Sequence, residues 1–152
     1  ERHVYWNIVL MYGGAIALGS ALDRTGAAKW LLEGVLDGYQ PSALMTLIGA
    51  AVLALILSEV MSNAAALAVV LPLAFTLANQ SGASPVALVL AVSFGAGLDF
   101  MFPMSTAPNT IIFASGYLQT KDFLKAGLLM TVASILILVA VVKWWWPIIG
   151  LV

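Results

Sequence analysis

No cysteine occurs anywhere in the chain, and histidine occurs once, at position 3. A disulfide framework and a thiolate metal site are therefore excluded, and one terminal imidazole cannot build a histidine metal site. Charge is nearly as scarce. Six basic and seven acidic residues make up 9% of the 152 positions and leave a net charge of -1, whereas soluble domains carry about 25% charged residues. That balance removes the electrostatic attraction on which nucleic-acid binding depends. No nucleophile–base pair or metal cluster stands out either, so an enzyme is the weakest reading.

What fills the space is apolar. Hydrophobic residues make up 62% of the sequence and the mean hydropathy is +1.05, more apolar surface than a soluble domain of this length can bury. The solvent for this chain must be lipid, and the predicted fold class is an all-α integral membrane protein. Residues 4–22 read as a first span, with Tyr5 and Trp6 suited to a membrane interface and Gly13, Gly14 and Gly19 to close helix packing. Residues 23–40 mix five charges with Trp30, Leu31, Leu32, Val35 and Leu36 at helical spacing, the pattern of an amphipathic helix lying along the interface. Near the other end, residues 126–142 form a last apolar run. Lys143, Trp144, Trp145 and Trp146 follow it as an expected interfacial anchor.

Between these lie two interruptions. Residues 42–79 carry a single charge, Glu59, and are too long for one span of about 20 residues. Two apolar runs, 43–57 and 64–78, flank the polar stretch Ser58-Glu59-Val60-Met61-Ser62-Asn63. That stretch lacks the Gly-Pro-Asp chemistry of an aqueous loop, so the pair reads as a re-entrant helical hairpin with its tip at membrane depth. Pro41 and Ser42 suit the start of its first arm. Asn79 to Pro85 reads as a loop, after which residues 85–101 form a third apolar stretch. This stretch stops at Phe102-Pro103-Met104-Ser105-Thr106-Ala107-Pro108-Asn109, where two prolines rule out a regular helix. The chain is expected to resume as helix at 110–115.

Discontinuous helices build midplane sites in many secondary transporters. Half-helix N-termini suit an anion, and unwound carbonyls and hydroxyls suit a hard cation such as sodium. Ser62, Thr106 and the carbonyls around Ala64 and Ala107 fit the cation role, while the Asn63 and Asn109 amides can donate to a carboxylate or sulfate oxygen. Glu59 and Asp99 are candidate proton or cation carriers; the alternative for each is a carboxylate capped by backbone donors and Ser or Thr partners.

At these residues the sequence resembles the divalent anion:sodium symporter family of dicarboxylate, citrate and sulfate transporters. Glu59-Val60-Met61-Ser62-Asn63-Ala64-Ala65-Ala66 resembles a hairpin tip carrying that family's Ser-Asn-Thr motif. Residues 100–116, with Thr106-Ala107-Pro108-Asn109 at their centre, resemble its proline-rich helix break. The resemblance implies sodium at Ser62, Asn63, Ala64, Thr106 and Ala107, and substrate at Asn63, Thr106, Pro108 and Asn109. It also implies a homodimer in the cell membrane that works as an elevator, with sodium and a small anion as partners and no organic cofactor. Residues 1–40 would supply a scaffold helix and the interfacial helix. Residues 41–152 would supply transport-domain elements: hairpin 42–79, broken helix 85–117 and last span 122–147. On this reading the chain, which opens on Glu1 without an initiator methionine, is the C-terminal inverted repeat, and the N-terminal repeat is a missing partner. Ala64 in place of the motif's Thr, Ala107 in place of a Pro and Asp99 in place of a small neutral residue leave the anion open. A proton-coupled or arsenite-type transporter of the same superfamily, and a non-transporting membrane subunit, remain the alternatives.

Overall fold

The computed structural model describes residues 41–103 and 105–152, preceded by Leu10, Gly13, Gly14, Ala17, Ala21, residues 24–27 and Trp30. The span expected over 4–22 and the amphipathic helix expected over 23–40 otherwise lie outside the described residues. The described part is helical, with no strand. Its elements are α1 (Ala43–Ser58), α2 (Asn63–Ser81), α3 (Pro85–Ala96), α4 (Ala107–Ala114) and α5 (Thr120–Ala140); α5 runs through a π-helical turn (Val141–Trp145) into α6 (Trp146–Ile148).

Each start is written locally. A helix leaves its first N–H groups without partners, and a Ser or Thr just before it supplies an acceptor. Ser42, Ser62, Ser84 and Thr106 do this for α1 to α4, their hydroxyls accepting from the N–H groups of Met45, Ala65, Ala87 and Asn109. At α5, Gln119 and Asp122 form a reciprocal capping box. Pro72 sits inside α2 without ending it. The helix carries on through Asn79 to Ser81 and closes at Gly82, whose φ of 70° is the left-handed cap that glycine adopts freely. The loop expected from Asn79 is thus shorter than the sequence suggested, because Asn79, Gln80 and Ser81 complete the last turn of α2.

Small side chains hold the core together. α1 and α2 form a hairpin joined by residues 59–62, and α1 lies centrally, packed against α2, α3 and the π-helical turn. Ala87, Ala91 and Gly95, one turn apart on α3, are all buried, a spacing that lets two backbones approach where lipid offers no hydrophobic drive. At Gly95 the approach is so close that an added Cβ would stand 2.7 Å from the Ala51 carbonyl carbon of α1.

Two helices are long and apolar enough to cross a membrane, Asn63–Ser81 and Thr120–Ile148, and only 22% of each apolar window is buried within the chain. α1, at 16 residues, is about 24 Å long, short of the roughly 30 Å hydrocarbon layer. The last helix corrects one expectation. Trp144 and Trp145 are exposed, with Lys143 Nζ 5.7 Å from the Trp144 ring centre, but Trp146 is buried with Leu138 and Val142. Four-residue spacing puts those three on the core face, so the anchor comprises Lys143, Trp144 and Trp145 without Trp146.

Candidate functional site

α3 ends at Ala96, five residues before the apolar stretch does. From Gly97 to Pro103, and again at Ser105 and Thr106, the backbone is irregular, and the reason lies in another part of the chain. The Glu59 carboxylate, 3% exposed, accepts the N–H of Met101 at 3.1 and 3.2 Å through its two oxygens. It also accepts the N–H of Phe102 at 3.2 Å. Two successive main-chain donors are therefore committed to a side chain 42 residues away and cannot continue the helix. Hydrogen bonds to an ionised group are the stronger kind, about 1.5–3 kcal/mol each. Glu59 fastens the turn between α1 and α2 to the break after α3. Of the two roles open to it from sequence, the structure shows capping by backbone donors.

Around this junction the other candidates fall into place. Ser62 caps α2, its hydroxyl accepting from Ala65 at 3.3 Å, and is otherwise exposed. Asn63 and Ala64 open α2 and are half-buried. Asp99 lies within the break. It is 1% exposed, its Oδ2 has no hydrogen-bond partner, and the side chains acting on it are Glu59 and the Asn63 amide.

The second interruption organises itself around Ser105. The Ser105 hydroxyl reaches the carbonyls of Asp99 at 2.9 Å and Phe102 at 2.8 Å. Asn109 Nδ2 stands 3.3 Å from Ser105 Oγ and 3.5 Å from the Asp99 carbonyl. The Thr110 hydroxyl bridges the carbonyls of Pro103 and Thr106 at 2.9 and 3.0 Å. Unlike the expectation of helix from 110, α4 begins at Ala107, three residues earlier. Thr106 caps it, and Pro108 sits in the first turn, where a missing N–H costs nothing. Pro103 lies in the irregular backbone. Pro108 is exposed, while Thr106 and Asn109 are half-buried.

The structure thus brings Glu59 and Asn63 of the first interruption against residues 99–102 of the second, and ties 99–102 to Ser105 and Asn109. No direct hydrogen bond joins Ser62 or Asn63 to Thr106, Pro108 or Asn109 among the described residues. Two contributors carried no signal that their residue type alone could give. Ser105 was one hydroxyl among several. Gly127 of α5 stood inside an apolar run, yet a Cβ there would lie 2.6 Å from Met101 Cα and 2.7 Å from the Phe100 carbonyl carbon. α5 rests directly on the break.

A serine-capped turn, the N-termini of α2 and α4, the Asn63 and Asn109 amides and two buried carboxylates gather at apolar helix ends, the kind of polar interruption from which membrane transporters build their sites. The chain belongs to the sodium:sulfate symporter family, whose transmembrane-region model matches residues 1–152. It is an integral membrane protein of that secondary-transporter family, the divalent anion:sodium symporters. Among its relatives, the human Na(+)/dicarboxylate cotransporter 3 is 35% identical over 95% of this chain and 24% of its own length. The mouse Na(+)/citrate cotransporter is 33% identical over 95% of the chain and 25% of its own. A sodium-dependent dicarboxylate transporter of Staphylococcus aureus (strain USA300) is 33% identical over 97% and 28%. The chain therefore spans about a quarter of the length of these relatives.

Proposed function

We propose that the chain is part of the C-terminal repeat of a secondary transporter that couples sodium entry to uptake of a small divalent anion. The observation that carries this reading is the three-bond fastening of Glu59 to Met101 and Phe102. It holds the two interrupted helices together, so the start of α2 and the break before α4 can serve one site. Sodium is bound by the Ser62 hydroxyl, the Asn63 amide oxygen and the Ala64 carbonyl, with Thr106 and Ala107 from the second interruption. The anion takes the Asn63 and Asn109 amides, with Thr106 and Pro108 shaping the pocket and the positive ends of α2 and α4 favouring its charge. The hairpin α1–α2 is re-entrant, which the shortness of α1 supports. The relatives' names favour a dicarboxylate or citrate over sulfate, although Ala64 withholds the hydroxyl that the family motif's Thr would offer a carboxylate.

In the working protein this part pairs with a first repeat, the whole forms a homodimer in the cell membrane, and the helices around the junction move as an elevator against a scaffold. The test is uptake of labelled succinate, citrate and sulfate into proteoliposomes by the complete transporter, with sodium exchanged for choline. Uptake is expected to require sodium and to fall at least about tenfold in Ser62→Ala and Asn63→Ala, the loss of one good polar contact of about 1.4 kcal/mol. Sodium-indifferent uptake, unchanged in both variants, contradicts the reading. A flux driven by pH alone would instead support the proton-coupled alternative.

A further inference from the structure

We propose that the Asp99 carboxylate is a direct ligand of the coupling cation, acting beside the Asn63 amide; this rests on the sodium reading above and adds a charged donor to it. Asp99 is 1% exposed, and its Oδ2 is buried without a hydrogen-bond partner. A buried acceptor left unpaired costs about 1–3 kcal/mol, and a buried charge more, so such groups are normally paired or bound to a metal. Glu59, its acidic neighbour, has this need met by two backbone N–H groups. Asp99 does not. The groups acting on it are its own backbone N–H, the Glu59 carboxylate, which adds repulsion, and the Asn63 amide; no basic side chain is among them. What the cluster lacks is positive charge.

The position of Asp99 fits a ligand role. Its carbonyl holds Ser105 and Asn109 of the second interruption, while its carboxylate stands beside the first residue of α2. Asp99 thus faces both interruptions from one residue. A carboxylate oxygen and an amide oxygen are the donors a hard monovalent cation takes, and an ionisable group at membrane depth commonly marks an ion path. A carboxylate ligand, against the neutral oxygens of a hydroxyl and carbonyl site, adds a charged donor to the cation and binds it more tightly.

The experiment is a sodium titration of anion uptake by the complete transporter in proteoliposomes, at saturating anion, for wild type, Asp99→Asn and Asp99→Ala. Both variants are expected to raise the half-saturating sodium concentration at least tenfold, with uptake recovering at high sodium. An unchanged half-saturation in folded variants overturns the proposal, even while wild-type uptake still requires sodium and the sodium reading stands. So does a loss of pH dependence without a change in sodium affinity, which would make Asp99 a proton site. Sodium-indifferent wild-type uptake would defeat both readings together. Should the variants not fold, infrared difference spectra of the wild type on replacing potassium with sodium decide the matter. A shift of a buried carboxylate band is expected, and its absence overturns the proposal.

Discussion

Replacing Glu59 with alanine is expected to abolish anion uptake by the complete transporter and to lower the yield of folded protein sharply. The substitution removes the acceptor of two consecutive N–H groups, those of Met101 and Phe102, in a region where the carboxylate is 3% exposed. Each stranded donor costs about 1–3 kcal/mol, so the sum is a sizeable part of the 5–15 kcal/mol that typically separates folded from unfolded domains. The damage is also localised. Without the carboxylate the N–H groups of Met101 and Phe102 are released, and the Asn63 amide on Asp99 is left to hold the break against the start of α2. Glu59→Gln keeps one acceptor oxygen but turns an NH2 group toward the other donor, so it should fold and lose roughly one bond's worth of stability, about 1–2 kcal/mol. Surface expression, size-exclusion profile and uptake check this order. Wild-type behaviour of Glu59→Ala would mean that the carboxylate is not the fastening.

Gly127→Val should be nearly as severe, from the opposite side of the break. A Cβ at 127 would press on Met101 Cα and the Phe100 carbonyl, main-chain atoms that cannot rotate away. Either α5 lifts off or residues 100 and 101 shift, and a shift there pulls on the N–H groups that Glu59 holds. Overpacking of this kind costs about 1–3 kcal/mol. The thermal midpoint of the detergent-solubilised transporter is expected to fall by several degrees, and uptake at low sodium to fall further than uptake at saturating sodium. Gly97→Ala is the comparison: its nearest neighbours to an added Cβ lie at 3.6 Å or beyond, an ordinary contact, and it should change little.

Local chemistry made much of the fold legible. Ser42 and Pro85 announced the starts of α1 and α3, and the polar stretch from Ser58 to Asn63 marked the turn between two apolar helices. The residues of both interruptions carried the family resemblance that the family match bears out. What local pattern could not give was long-range. The apolar run through Met101 reads as helix until Glu59 withdraws two of its donors from 42 residues away. Pro108 reads as a breaker until Thr106 supplies a cap that makes it an acceptable first-turn residue. Trp146 looks like its two neighbours until four-residue spacing with Val142 and Leu138 turns it inward. For the candidate site, residue type named Ser62, Asn63, Thr106 and Asn109, but only the folded chain reveals Ser105 as the connector and Gly127 as the seat of the break.

The claim that both interruptions serve one site is tested most directly by a double-mutant cycle on sodium affinity, using Asn63→Ala and Asn109→Ala in the complete transporter. Independent sites add to within about 0.3–0.5 kcal/mol, whereas residues sharing a partner or a ligand show coupling of about 0.5–3 kcal/mol. A single shared site requires that the double variant lose distinctly less than the sum of the two single losses. Strict additivity of the two substitutions would contradict it, and would return the two interruptions to separate packing roles.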